Sequence, residues 1–451
     1  MLDSTHSFQQ MHLQAVEAIR REIRAALDGM RIDAGQKFPR FSREALVHIQ
    51  RSVDQALKDD TLKQCLREPE LFEIFFDAMN DVIRARFDEP ASSGSSFRER
   101  IGHDGIGDIE DSFIRMLESI PRTYVAYFWL PSGGDVYVPS GEIAPGVRVI
   151  DRNSAEGVPR ALWKREEPKL QSLADLMGFG STSTLATAFK QETDDKPSLY
   201  LAIEGKGYSK GQLSNPTNQF FISRMKHAIA LGVTLQGFAA DRLGNQFHVH
   251  EGRPSTLQVY DLGDDTAEQI HLPESMARYL GNISVLPEMW LSKLPNFVVA
   301  MTAKEAEPAR QQLFKEHFSE VAKCFAADAK EVLTAAEWAF DAAAEQNGTL
   351  SYLYTAIGLE AALGSDPKRV VESLSDRLSY LVGATRSERE KIQKEFTKFY
   401  DHRSKIVHGR IAQLRGTDSE LLNWGQVMLF RTIRRELSLI DEVATPVANP
   451  S

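Results

Sequence analysis

The residue types best suited to chemistry fall in one stretch, FYDHRSKIVHGR at 399–410. Arg403 and His408 stand five positions apart, with His402, Ser404, Lys405 and Arg410 around them. A histidine titrates near neutrality and can move the proton of a ribose 2′-hydroxyl or of a leaving 5′-oxygen. An arginine stays charged and stabilises an anionic phosphorane through forked hydrogen bonds. RNA supplies its own nucleophile, so this pair suits phosphodiester cleavage without a metal-activated water. Between 396 and 416, Lys398, Arg403, Lys405, Arg410 and Arg415 outweigh Asp401 and leave a net charge of +4, in a chain whose total is −10. A structural reading competes, because the helix dipole favours basic side chains in a last turn. Five residues at about 100° each put Arg403 and His408 roughly 140° apart on an ideal helix. The two would flank a groove rather than share a face, which makes a second copy of the helix a candidate to complete a site.

The element that must position them is a helix over 387–408, with Ile392, Phe396, Phe399, Tyr400, Ile406 and Val407 on its buried side and Gly409 as its stop. It belongs to a run of helical stretches near 309–346, 351–363, 369–382, 387–408 and 418–442. The breakers between them are Asn347-Gly348, Gly364-Ser365-Asp366-Pro367, Gly383 and Gly409. Long helices on short connections predict an antiparallel all-α bundle over 308–445. The middle, 91–300, reads as mixed α+β, a candidate sensor or regulatory domain. Its strands are expected at Tyr124–Leu130, Val147–Ile150, Leu199–Ile203, Phe247–His250 and Leu257–Tyr260, and its helices at Gln219–Leu231 and Glu274–Leu280. Residues 1–90 read as helical, with Val16, Ile19, Ile23, Ala26 and Leu27 at helix spacing, Arg20, Arg21 and Arg24 on a solvated face, and further helices near 43–66 and 69–87. EPASSGSS at 89–96, running into glycines 102, 105 and 107, reads as a flexible linker. The expected class is therefore α+β: a helical and mixed N-terminal region followed by a C-terminal helical bundle.

RSKIVHG at 403–409, AIGLEAAL at 356–363, LSDRLSYLVG at 374–383 and SEREKIQKEFTKFYDHR at 387–403 occur in this order over about 330–443. Together they resemble the HEPN superfamily of α-helical ribonucleases, and within it the ApeA-like HEPN domain of bacterial anti-phage proteins. The resemblance implies a four- to five-helix bundle that forms a homodimer and builds a composite endoribonuclease site from two Arg/His pairs, without a metal or other cofactor. Arg403 would bind and polarise the phosphate, His408 would be the acid–base residue, and Glu360 would orient Arg403. Ser404 stands where the superfamily often has Asn, Asp or His. Lys405, Arg410 and His402 are the implied RNA contacts, and Arg431, Arg434 and Arg435 either extend that track or face solvent. The substrate implied is cellular RNA, tRNA among the candidates, cut to 2′,3′-cyclic phosphate ends in abortive infection by a toxin-like effector that answers a phage-derived trigger. The alternative is a catalytically silent HEPN module serving dimerisation or nucleotide binding. A third reading gives the α+β middle an activity of its own.

The remaining features mostly exclude. A chain of 451 residues, 42% apolar and 26% charged, suggests two to four globular domains. No apolar run approaches the roughly 20 residues of a membrane span, and no signal peptide is read at the N-terminus. A cytoplasmic location without membrane partners is therefore expected, with the sequons at Asn282 and Asn347 unread. Two cysteines, Cys65 and Cys324, exclude a thiolate zinc site, an iron–sulfur cluster and a disulfide framework, and both read as buried hydrophobes. Gly205-Lys206-Gly207-Tyr208-Ser209-Lys210-Gly211 fits neither the P-loop nor the dinucleotide fingerprint and reads as a tight turn. His248 and His250 alternate on one strand face, a spacing that metals use, but only Glu251 and Asp261 are near. The pairs Asp194-Asp195 and Asp264-Asp265 read as solvated turns.

Overall fold

The computed structural model describes residues 13–87, 94–130, 140–151, 199–240, 256–264, 266–285, 303–327, 329–364, 370–411, 413–414 and 416–444. The expected strand Phe247–His250 with His248 and His250, Glu251, Asp194-Asp195, Asp265, Arg415 and most of the stretch 89–96 lie outside them. The described chain is mixed α+β. It divides into two compact units, residues 1–124 with 205–219 and 261–265, and residues 125–204 with 220–260 and 266–451.

The first unit is built on α1 (Leu13–Asp28), α2 (Arg43–Ala56), α3 (Asp60–Cys65), α4 (Glu68–Arg86) and α5 (Phe97–Glu118), with a two-stranded ladder of β1 (Arg31–Ile32) and β2 (Ser95–Ser96). Side-chain oxygens of Ser42, Asp59 and Ser96 cap α2, α3 and α5. The cap at Asp59 splits the expected helix 43–66. Ile19, Ile23, Leu27, Ile49, Val53, Phe75 and Phe113 form the core, with Phe75 and Phe113 edge to face at 5.8 Å. Glycines 102, 105 and 107, expected in a linker, lie inside α5. Gly102 takes a left-handed φ of 73° and kinks the helix there. The buried stripe Ile101, Ile106, Ile109, Phe113 and Leu117 outweighs the low helix propensity of glycine.

The basic face of α1 is exposed at Arg21 and Arg24, as expected, but Arg20 and Arg24 also pair inward. Glu110 is wholly buried, and Arg24 grips it with both fork nitrogens at 2.6 and 2.8 Å. Arg20 lies 3.6 Å from the same carboxylate and 2.6 Å from Asp111. Asp264 likewise pairs with Arg122, which also meets the buried Asp261 at 3.2 Å. The glycine-rich segment after Glu204 closes on itself. Thr217 Oγ1 accepts the Tyr208 amide at 2.9 Å, and Ser209 donates to Asn218 at 2.7 Å. These buried bonds occupy the Tyr208 amide and the Ser209 hydroxyl.

The second unit carries a six-stranded sheet in the order β4-β5-β6-β3-β8-β9, formed by β3 (Arg122–Leu130), β4 (Gly141–Ala144), β5 (Val147–Asp151), β6 (Leu199–Gly207), β8 (Thr256–Asp261) and β9 (Thr266–His271). β4, β5 and β6 pair antiparallel. A separate antiparallel pair joins β7 (Phe238–Ala240) to β10 (Ile283–Val285). Helices α6 (Pro216–Thr234) and α7 (Glu274–Gly281) interleave with these strands.

Six helices follow: α8 (Ala303–Ala326), α9 (Lys330–Ala344), α10 (Gly348–Leu363), α11 (Val370–Val382), α12 (Arg386–Val407) and α13 (Gly416–Ala444). The expected helix 309–346 is two helices, α8 and α9, and no Gly or Pro marks the break. Asn347, one of the two sequon residues, caps α10 with its side chain. α9 packs along α10, α10 along α13, and α11 along α12. Burial pushes the Cys324 thiol up to about 12, so it packs as a hydrophobe, whereas Cys65 is only half-buried. A polar cluster ties α6 to α9: Ser223 donates to Glu337 at 3.0 Å, and Lys226 meets Asp341 at 2.9 Å. His227 beside Glu337 holds that carboxyl at about 2, well below its ordinary range.

α12 and α13 approach closely at Gly425. A Cβ there would fall 2.3 Å from Cε2 of the fully buried Phe399. Gly425→Ala is expected to cost about 1–3 kcal/mol in overpacking, offset by about 1 kcal/mol of helix propensity. Heat unfolding should show a lower midpoint, and an unchanged or higher one would contradict this packing.

Candidate functional site

α12 begins at Thr385, whose hydroxyl accepts the Glu388 amide at 3.2 Å, while Glu388 accepts the Ala384 amide at 3.0 Å. Arg431 lies 3.0 Å from Glu388, also donates to the Val382 carbonyl, and holds that carboxyl below its ordinary range. Arg431 is therefore a brace between helices, while Arg434 and Arg435 are exposed. Ile392, Phe396, Phe399 and Ile406 are buried as expected. Tyr400 is half-buried, and Val407 is 52% exposed, against the expectation that it packs inside. At the far end the chain turns through His408 (φ −84°, ψ 11°) and the left-handed Gly409 (φ 67°). The amides of Arg410 and Ile411 return to the Lys405 carbonyl at 2.8 and 3.3 Å, so the glycine stop closes the helix with its last carbonyls satisfied.

Arg403 projects from the last turns of α12. Its Nη2 lies 3.3 Å from Glu360 Oε1 on α10, and the Tyr400 hydroxyl donates to that same oxygen at 2.8 Å. The guanidinium carbon sits 5.4 Å from the Tyr400 ring centre. Burial, and then the Glu360 carboxylate, push the Tyr400 phenol up to about 12, so it remains a donor. Tyr400 was not among the residues singled out by type. The signal was its place three positions before Arg403, on the same helix face.

The other expected residues are dispersed. His408 is exposed beyond the helix end, and Ser404 is half-buried. Among the described residues no hydrogen bond or ion pair joins Arg403 to His408. Lys405 pairs with Asp401 at 2.6 Å, and Lys398 with Glu395 at 2.7 Å. Much of the basic island is thus neutralised locally, although exposed pairs of this kind are worth only about 0–1 kcal/mol and yield readily to a phosphate. Arg410 is exposed. His402, expected to meet RNA, turns inward: its side chain is 15% exposed, 3.7 Å from Asp418 and 5.3 Å from the ring of the buried Tyr352. Tyr352 stacks on Phe399 at 4.4 Å and donates to its carbonyl at 2.9 Å, which anchors this part of α12.

Among the described residues no three His, Cys, Asp or Glu side chains converge as metal ligands would, and no helix is long and apolar enough to cross a membrane. No family model, curated protein or solved structure matches the chain.

Proposed function

We propose that the C-terminal bundle is a HEPN-type endoribonuclease domain of the ApeA-like kind. It cleaves cellular RNA, tRNA among its substrates, by attack of the 2′-hydroxyl on the adjacent phosphate, without a metal or other cofactor. The observation that carries this reading is the Glu360–Arg403 contact at the end of α12, with His408 exposed just past the helix stop. A guanidinium oriented by a carboxylate presents its remaining N–H groups to a phosphate, and a solvent-exposed imidazole can exchange protons. Two such helix ends in a homodimer supply two Arg/His pairs, in keeping with the wide angular separation of the pair on one helix. Residues 1–300 then sense a phage-derived trigger or restrain the nuclease, and the protein acts in the cytoplasm as an abortive-infection effector.

A second reading has its own support. Carboxylates partner Lys398, Arg403 and Lys405, as a silent dimerisation or nucleotide-binding module would tolerate. An all-ribose oligonucleotide and its fully 2′-O-methylated counterpart, each incubated with the purified chain, separate the two. Cleavage of the first and not of the second is expected. Cutting of the methylated strand contradicts attack by the 2′-hydroxyl, and cutting of neither favours the silent module.

A further inference from the structure

We propose that Tyr400 is a positioning residue for Arg403, which it holds through their shared partner Glu360; its catalytic consequence rests on the ribonuclease reading above. Both groups converge on one oxygen, Glu360 Oε1: the Tyr400 hydroxyl donates a hydrogen bond at 2.8 Å, and the Arg403 guanidinium forms an ion pair at 3.3 Å. The tyrosine bond therefore fixes which carboxylate oxygen faces the guanidinium and in what direction. The ring of Tyr400 lies beside the same guanidinium, 5.4 Å from its carbon, and limits its rotation on that side. Arg403 Nε is shielded from water and has no acceptor among the described residues, so Tyr400 and Glu360 are the contacts that hold its guanidinium. A long side chain ordered in advance does not have to lose its rotamer freedom when a phosphate arrives. The phenol keeps its proton well above neutrality, so this hold does not titrate in the range where histidine works.

The test uses the full chain as wild type, Tyr400→Phe and Glu360→Gln, with two readouts. The first is the rate at which phenylglyoxal modifies Arg403, followed by peptide mass mapping. Arg386, whose side chain is 94% exposed and lies at the other end of α12, is the internal reference. The second is cleavage of purified tRNA, resolved into kcat and KM. The expected result for Tyr400→Phe is faster labelling of Arg403 with Arg386 unchanged, and a kcat about 10-fold lower with KM little altered, because loss of orientation acts on the transition state. Labelling at the wild-type rate, or labelling that rises at Arg403 and Arg386 alike, overturns the positioning role. Faster labelling with an unchanged kcat overturns it too, since the contact is then merely structural. A freed Arg403 in a chain whose wild type cuts no RNA leaves the hold on Arg403 standing and removes the ribonuclease reading.

Discussion

His408→Ala is expected to lower RNA cleavage by about 10²- to 10⁴-fold, the range in which a positioned acid–base group contributes. Arg403→Ala is expected to lose about 10²- to 10³-fold, as does removal of one charge-stabilising donor. The double variant should fall little below the deeper single one, because groups acting in one transition state are not additive. His408 lies past the end of α12, exposed, with its backbone amide bonded to Ser404. Its imidazole is solvent-exposed, so the alanine variant should fold normally, and a loss of activity there reports chemistry. Arg403 is different, since its removal also strips Glu360 of an ion pair. Arg403→Lys is the informative companion: it keeps the charge but loses the fork, and should fall between wild type and alanine. Single-turnover cleavage of tRNA, beside circular dichroism of each variant, checks all three. A His408→Ala protein that cuts at the wild-type rate places the chemistry elsewhere.

The second large effect concerns stability. Arg24→Ala is expected to destabilise the first unit by about 1–3 kcal/mol. Glu110 has a side chain only 1% exposed, and Arg24 supplies both of its short hydrogen bonds. Breaking a buried pair from one side typically costs about 3–5 kcal/mol, because the remaining charge is stranded. The loss is smaller here because the Arg24 side chain is itself 59% exposed and Arg20 stays within 3.6 Å of Glu110. Hydrogen exchange resolved by peptide should show α1 and α5 losing protection by about 5- to 150-fold, with the C-terminal helices unaffected. Adding Glu110→Leu to Arg24→Ala should restore much of the loss, since the stranded carboxylate is then gone. Protection unchanged in Arg24→Ala would contradict the buried clamp.

How much of this was legible in the residues depends on the length of each signal. β3, β5 and β8 were read within two residues of their bounds because they are runs of aromatic and β-branched residues, while β6 runs four residues past its expected end through Glu204–Gly207. β4, β7, β9 and β10 were missed. They are short or largely polar, as in Thr266–His271, and become strands only through the partner beside them. α5 was hidden by its three glycines, although its isoleucines and phenylalanines carry helix spacing throughout. The break between α8 and α9 carries no Gly or Pro to announce it. In the site, Arg403, His408 and Glu360 could be singled out by type and order, but Tyr400 and the inward turn of His402 depend on what α10 and α13 place opposite them. The Lys405–Asp401 pair was within reach, since four-residue spacing on a helix brings opposite charges together.

The central claim is tested most directly by incubating total RNA with the wild-type chain in EDTA, beside Arg403→Ala and His408→Ala, and identifying the new ends. Cleavage that survives the chelator, leaves 2′,3′-cyclic phosphates and disappears in both variants is the predicted result. Cleavage that stops in EDTA, leaves 3′-hydroxyl ends, or proceeds in either variant at the wild-type rate would contradict it.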